Sequence, residues 1–327
     1  MTLKNHYSNS NVLITGGNGF IGANLTEILV KLGANVTVFT NIAQPGWEKK
    51  FKINGKTNTV IGDITSKKDT EKVVQNMDFV FHLAGISGAT ESNERSLLDM
   101  QINCGGVLTL LEACRKKNQR ARILFPSSQL VYGQANKLPV AESHSTEPTS
   151  IYGIHRLTVD KYIVLYNKVF GLKTVALRIP NPYGPRQSMD HTYGIVNYFI
   201  GRVLAGNNIT IYGEGNQMRD YIYIEDLIEA MLISNASPES IGKVYNVGSG
   251  KPHQFKEMAE KITKVIGIGD IKHVEFPKNA AKSEVGDIYL DIGKIKEELG
   301  WEPSTKLEDG IRKTIAYYKK SSIESLA

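Results

Sequence analysis

Three glycines at a spacing of three, Gly16, Gly19 and Gly22, stand in the run Thr15-Gly-Gly-Asn-Gly-Phe-Ile-Gly22. The pattern G-x-x-G-x-x-G is a respaced form of the fingerprint that holds a dinucleotide between a strand and a helix. Gly16 permits the tight turn, Gly19 lets the backbone approach a pyrophosphate, and Gly22 lets helix pack close on strand. A helix opening at Phe20 and Ile21 then offers unpaired N–H groups and a partial positive charge to the phosphates. The chemistry implied is binding of NAD, with NADP as the alternative. At the end of the second strand, where an acid ordinarily takes the adenosine ribose hydroxyls, the chain reads Phe39-Thr-Asn41. Thr40 supplies a hydrogen bond but no charge against a 2′-phosphate. No Arg or Lys follows at once to neutralise such a phosphate, which favours NAD. Asp63 and Ile64, just past the third strand, are placed for the adenine edge; a turn or a helix cap is the equal alternative for Asp63.

These residues need elements to hold them. Short β-branched runs at Asn11–Thr15, Asn35–Phe39, Thr59–Ile61, Phe79–Leu83, Arg122–Phe125 and Lys173–Ile179 read as strands. Helix-period segments at Phe20–Leu32, Lys67–Gln75, Leu97–Lys117 and Ile151–Phe170 lie among them. Such alternation builds a parallel sheet covered on both faces, a doubly wound α/β (Rossmann) domain over residues 1–180. Pro180, Pro182, Gly184 and Pro185 end the alternation. Beyond them the reading is a helix over Tyr193–Ala205, strands at Ile209–Tyr212, Tyr221–Ile224 and Lys243–Val247, a helix Ile292–Leu299 capped by Asp291, and a last helix Leu307–Tyr318 capped by Thr305. That makes a smaller mixed α/β substrate domain over 181–327, with segments such as 243–248 crossing back to the first.

Further motifs follow in order: His82-Leu-Ala-Gly85 with Asn103, Ser127-Ser-Gln-Leu-Val-Tyr-Gly133, Tyr152-Gly-Ile-His-Arg156, Arg178-Ile-Pro-Asn-Pro-Tyr-Gly-Pro-Arg186, Ile211-Tyr-Gly-Glu-Gly215, Arg219-Asp-Tyr-Ile-Tyr223, Tyr245-Asn-Val-Gly-Ser249 and Leu299-Gly-Trp-Glu-Pro303. Together they resemble the extended short-chain dehydrogenase/reductase family, particularly its NAD-dependent sugar-nucleotide epimerases and dehydratases, over nearly the whole chain. The resemblance implies that Tyr152 is the catalytic tyrosine, moving the proton of a sugar hydroxyl while hydride passes to or from nicotinamide. It implies that Ser128 hydrogen-bonds the reacting oxygen, with Ser127 as the fallback. Leu83 and Ala84 would pass the nicotinamide side of the cofactor, with core packing the equal alternative for His82. Ser87, Asn181 and Arg219 would contact substrate, Arg219 gripping its diphosphate with a bidentate fork. Tyr183 and Arg186 share the Asn181 loop and are open to a purely structural role. The family has lysine four residues after the tyrosine. Here Arg156 stands there, a cation that effectively cannot give up a proton.

What the resemblance implies first is a nucleotide-sugar 4-epimerase acting through a transient 4-keto sugar. A 4,6-dehydratase needs a further acid–base pair, which that subgroup carries as Thr-Asp-Glu where this chain has Ser128-Gln-Leu130; Glu142 and Glu147 are the nearest carboxylates in sequence. An NADPH-dependent keto-sugar reductase is a third enzyme reading, and a catalytically weak binding or regulatory member of the fold is an alternative from another class. Two long helices, Leu97–Lys117 and Ile151–Phe170, would pair between subunits in a homodimer, as the family often does.

Composition narrows the partners. Of 327 residues 41% are hydrophobic and 22% charged, the balance of an ordinary globular protein. The longest apolar runs fall far short of the ~20 residues a membrane helix needs, so no membrane association is expected. Met1–Ser10 is polar, without the apolar core of an export signal, which points to a cytoplasmic protein. The net charge of +6 is scattered in short clusters such as Lys49-Lys50 and Arg115-Lys-Lys117, none interleaved with aromatics, so no nucleic acid is expected either. Cys104 and Cys114 would lie ~15 Å apart along one helix, too far for a disulfide. No Cys/His cluster has metal-ligand spacing.

Overall fold

The computed structural model describes residues 3–51, 53, 55, 57–190, 194–275 and 285–324. The polar N-terminus forms a short helix, α1 (Leu3–Tyr7), whose one buried residue, Tyr7, donates its hydroxyl to the Leu232 carbonyl. Then come β1 (Asn11–Thr15), α2 (Phe20–Lys31), β2 (Asn35–Thr40), α3 (Trp47–Lys50), β3 (Thr57–Ile61), α4 (Lys67–Val73) and β4 (Phe79–His82). Short helices α5 (Ala89–Glu94) and α6 (Ser96–Asp99) precede α7 (Gly106–Lys117), β5 (Arg122–Ser128), α8 (Ile151–Phe170) and β6 (Lys173–Ile179).

The later half holds β7 (Asn181–Tyr183), α9 (Ile195–Leu204), β8 (Ile209–Tyr212), β9 (Met218–Arg219), β10 (Tyr221–Tyr223), α10 (Ile224–Ala236) and β11 (Lys243–Asn246). After these follow β12 (His253–Gln254), α11 (Phe255–Ile266), β13 (Ile271–Val274), α12 (Gly293–Leu299) and α13 (Leu307–Glu324). Of the helix expected over Tyr193–Ala205, Tyr193 lies outside the described residues.

Seven strands make one parallel sheet in the order β11-β6-β5-β4-β1-β2-β3. β1 through β6 have short connections or helical crossovers in the first half of the chain. β11 returns from the second half to lie beside β6, Val244 opposite Ala176 and Tyr245 opposite Leu177. Strand residues Val12, Ile14, Phe81 and Leu124 are buried in one core and Leu13, Phe39, Val80 and Ile123 in another, as befits a sheet covered on both faces. β3 and β11 are the two edges, and the side chains of β3 are half-buried or exposed.

Two differences from the sequence reading matter to the site. Leu97–Lys117 is not one α-helix: a π turn at Met100–Gly105 joins α6 to α7, and π turns recur at functional sites. Asn103 lies in it and spends its side-chain amide on one residue, accepting the Ile86 N–H at 3.0 Å and donating to the Ile86 carbonyl at 2.9 Å. The helix expected from Ile292 begins at Gly293, whose N–H is held by Asp291 Oδ1 at 2.8 Å. Cys104 and Cys114 are free and buried. Burial first of all pushes their thiols up, to about 11 and about 12, so both remain protonated hydrophobes.

Candidate active site

The expected chemistry lies along the C-terminal edge of the sheet, around the point where strand order reverses between β1 and β4, the place where such folds bind ligands. β1 runs into the glycine turn. Gly16 has φ +68°, and a Cβ there would stand 2.9 Å from the Ala84 nitrogen. A Cβ on Gly22 would stand 2.4 Å from the Gly16 carbonyl oxygen. Gly22 therefore fits helix against the turn itself rather than against the strand. Gly19 is the N-cap of α2 and supplies no side-chain cap, so the first turn at Phe20 and Ile21 presents bare N–H groups. This bare cradle fits the diphosphate of a dinucleotide.

At the end of β2, Thr40 is buried and its hydroxyl accepts the Ile42 N–H at 3.2 Å. Asp63 is exposed, and its Oδ1 takes both the N–H and the hydroxyl of Thr65 at 2.8 Å, an Asx turn. Ile64 is buried against Gly106. Ser87 is exposed in the loop after β4.

β4 ends on a small network that sequence reasoning did not find. Thr15 Oγ1 accepts the N–H groups of Leu83 and Ala84, each at 3.1 Å, and lies 2.7 Å from His82 Nδ1. With both lone pairs of the hydroxyl engaged, its proton goes to His82 Nδ1, which assigns His82 the Nε2–H tautomer. Burial, and behind it the Arg156 cation, press His82 down to about 3, so the ring is neutral. Its Nε2 has no partner among the described residues. The signal in the sequence was slight: Thr15 and His82 are the last residues of their strands and face each other in register.

β5 and α8 bring the reacting groups together. Ser150 caps α8 by accepting the Gly153 N–H at 3.1 Å. Gly153 lies against the turn after β5, where a Cβ would stand 2.6 Å from the Leu130 carbonyl oxygen. This seats the first turn of α8, with Tyr152, beside the turn that begins at Ser128. Ser128 is buried and its Oγ accepts the Leu130 N–H at 3.2 Å; Ser127 is buried as well.

Arg156, one helical turn beyond Tyr152, has its guanidinium carbon 4.8 Å from the Tyr152 ring centroid and 5.2 Å from that of Phe125. This is cation–π distance on both sides. Long hydrogen bonds run to the carbonyls of Pro126 (3.3 Å) and Ile86 (3.4 Å), and Nε has no partner among the described residues. His82 in turn stacks on Phe125, centroids 5.8 Å apart. The result is a column of Tyr152, Arg156, Phe125 and His82 with one fixed cation in it.

Where a further acid–base pair would stand, Gln129 is buried and Leu130 half-buried. Glu142 is tied to the Asn246 N–H at 2.8 Å and Glu147 is exposed. In the second half, Asn181 donates to the Asp220 carbonyl at 2.8 Å. Arg219 Nη1 donates to the carbonyls of Met218 and Gly286 at 2.9 and 2.5 Å. Among the described residues no group of three or more His, Cys, Asp or Glu could hold a metal ion, and no helix is long and apolar enough to cross a membrane.

A family model described as the NAD dependent epimerase/dehydratase family matches residues 12–248. Among curated relatives, CDP-paratose 2-epimerase of Salmonella typhi is 30% identical over 334 residues, covering 92% of this chain and 97% of that protein. The solved UDP-N-acetylglucosamine 4-epimerase of Methanobrevibacter ruminantium, in complex with UDP-N-acetylmuramic acid, superposes with a TM-score of 0.88 at 29% identity, covering 96% of this chain and 99% of that one. UDP-glucose 4-epimerase of Thermotoga maritima, solved with UDP-glucose, gives a TM-score of 0.85 at 30% identity, covering 95% and 99%.

Proposed function

The chain belongs to the NAD dependent epimerase/dehydratase family, and within it we propose that it is a nucleotide-sugar 4-epimerase using NAD. Bound NAD supplies the acceptor and donor of hydride for C4 of the sugar. Tyr152 takes the proton of the C4 hydroxyl as the 4-keto sugar forms, and Ser128 steadies the reacting oxygen with its remaining O–H. After the sugar turns over in the site, Tyr152 returns its proton to the same oxygen. Arg156 holds a positive charge against the Tyr152 ring throughout. Gly16, Gly19 and Gly22 with Phe20 and Ile21 hold the diphosphate; Thr40, Asp63 and Ile64 line the adenosine; Leu83 and Ala84 pass the nicotinamide. Ser87, Asn181 and Arg219 hold the nucleotide sugar.

One observation carries the choice among reactions: the cation beside Tyr152 is a buried arginine. Epimerisation returns its proton to the oxygen it came from, so the cycle closes within the site. A reductase consumes a proton at each turnover and needs a route to solvent, which a guanidinium that cannot give up a proton interrupts. Dehydration has no carboxylate pair at Ser128–Leu130.

We assign domains at 1–180 and 181–327, with β11 shared. The exposed apolar residues Leu97, Met100, Ile154, Leu165, Val169 and Phe170 lie along the π-linked α6–α7 pair and α8, which supports a homodimer formed through these helices. A cytoplasmic location accords with two free, buried thiols. The test is incubation with a panel of UDP- and other nucleotide sugars, followed by mass spectrometry and proton NMR. An altered sugar at unchanged mass without accumulating NADH supports epimerisation; loss of water, or stoichiometric consumption of NADPH, overturns it.

A further inference from the structure

Arg186 takes φ +73°, a backbone conformation that glycine adopts without strain. A non-glycine residue persists there only when its surroundings over-determine it, and such residues gather at functional sites. What over-determines Arg186 is its side chain, only 7% exposed. From the loop after β7 it reaches into the first half of the molecule. Nε and Nη2 both donate to the Phe51 carbonyl, at 3.0 and 2.8 Å. Nη1 donates to Asn24 Oδ1 at 2.8 Å, and Nη2 pairs with Glu27 Oε2 at 2.6 Å. Asn24 in turn donates its Nδ2 to the Phe20 carbonyl in the first turn of α2 and to the Pro185 carbonyl, at 2.9 and 3.0 Å.

One guanidinium thus grips α2 just beyond its phosphate-binding turn and the residue that ends α3. From β2 to that residue runs the segment 41–51, which directly follows Thr40, the residue placed at the adenosine ribose in the reading above. The strand that leads into this loop, β7, begins with Asn181. The ribose position lacks the usual carboxylate, and the Thr40 hydroxyl already accepts the Ile42 N–H and offers the ribose no charge, so the firmness of the surrounding backbone counts for more.

We propose that Arg186 is a positioning residue for the cofactor: it fixes segment 41–51 and the first turns of α2 against the substrate loop, and NAD affinity depends on it although it lies outside the cofactor site. This rests on the NAD-binding reading of the glycine turn.

The experiment titrates NAD, and separately UDP, into the parent protein, Arg186→Gly, Arg186→Lys and Glu27→Gln by calorimetry, with thermal unfolding alongside. Arg186→Gly keeps the backbone conformation and deletes the grip. It is expected to weaken NAD tenfold or more while UDP affinity stays within about twofold. Arg186→Lys recovers part of the loss, and Glu27→Gln, which leaves the Phe51 chelate intact, loses less than Arg186→Gly. A folded Arg186→Gly protein with NAD affinity within twofold of the parent overturns the proposal, as does equal weakening of NAD and UDP, which marks general loosening. Should Arg186→Gly not fold, unchanged NAD affinity in both remaining variants overturns it. A parent protein that binds no NAD overturns the underlying reading and this inference together. A parent that binds NAD but converts no sugar refutes the epimerase alone, and the titration still decides Arg186.

Discussion

Two arginines, Arg156 on α8 and Arg178 on β6, are buried to nearly the same degree, 7% and 6% exposed. Their surroundings differ. Arg178 pairs with Asp160 at 2.9 Å, donates to the Tyr132 hydroxyl at 2.9 Å and has its guanidinium carbon 4.8 Å from the Tyr132 ring centroid. Tyr132 continues the network by donating to Asn246 of β11 at 2.6 Å. Arg156 has no carboxylate within 4 Å among the described residues; two aromatic rings and two long bonds to carbonyls hold it. Burying an unneutralised cation costs stability, and a fold that seeks only stability avoids it. Arg178 is therefore read as part of the frame, joining β6, the turn after β5 and β11. Arg156 is kept for what its charge does to Tyr152 and to a bound ribose.

The largest expected effect removes the group that Arg156 serves. Tyr152→Phe should lower kcat by ~10²–10⁴-fold, the usual worth of a positioned acid–base group, with calorimetric NAD affinity unchanged within about twofold. A rate close to the parent's would break the contrast at its root. Next, the same substitution made at both arginines should give opposite results. Arg178→Met strands Asp160 as a buried, unpaired carboxylate and should cost about 3–5 kcal/mol in urea unfolding. Arg156→Met removes an unpaired charge, so stability should hold or rise while turnover falls; if it unfolds the protein as Arg178→Met does, both arginines belong to the frame.

A smaller effect concerns pH. Native His82 stays neutral down to about 3, whereas an unfolded histidine protonates below ~6.5. Between those values the unfolded state binds the extra proton, so the His82 contribution to stability is lost as pH falls, by up to about 1.4 kcal/mol per pH unit. Above ~6.5 the contribution is flat. His82→Asn should flatten the acid side of a stability–pH curve by close to one proton. An identical slope in parent and variant would mean that His82 is already charged in the native protein. The smallest change is Arg156→Lys, which keeps the cation and one turn of helix; activity should be kept or raised, because a slim ammonium can reach both ribose and phenol. A large loss would show that the packing of the guanidinium against the rings, not the charge, is what Tyr152 needs.

The features legible in the sequence are those written in local spacing. The glycine turn, the alternating strands and the one-turn separation of Tyr152 from Arg156 depend on neighbours in the chain. Phe125 read only as the end of a strand, because its stacking on Arg156 depends on how α8 lies across β5. The Thr15–His82 contact spans 67 residues and that of Arg186 with the Phe51 carbonyl spans 135; no periodicity encodes either. The π turn at Met100–Gly105 was hidden because its side chains keep the apolar rhythm of a helix while Asn103 draws the backbone towards Ile86. Asp63 was left open between a ligand contact and a turn because an Asx turn and a ligand contact ask for the same residue type.

The sheet's make-up also sets an order in time. A chain emerging from the ribosome has β1 through β6 complete long before Lys243 exists, and until β11 arrives the backbone of β6 is an open edge able to pair with another chain. Tyr7 waits for a carbonyl made 225 residues later. The first half is therefore born with its earliest helix undocked and its last strand uncovered, and separations this long slow folding and prolong that exposure. The glycine turn and its strands are thus synthesised well before the strand that covers β6.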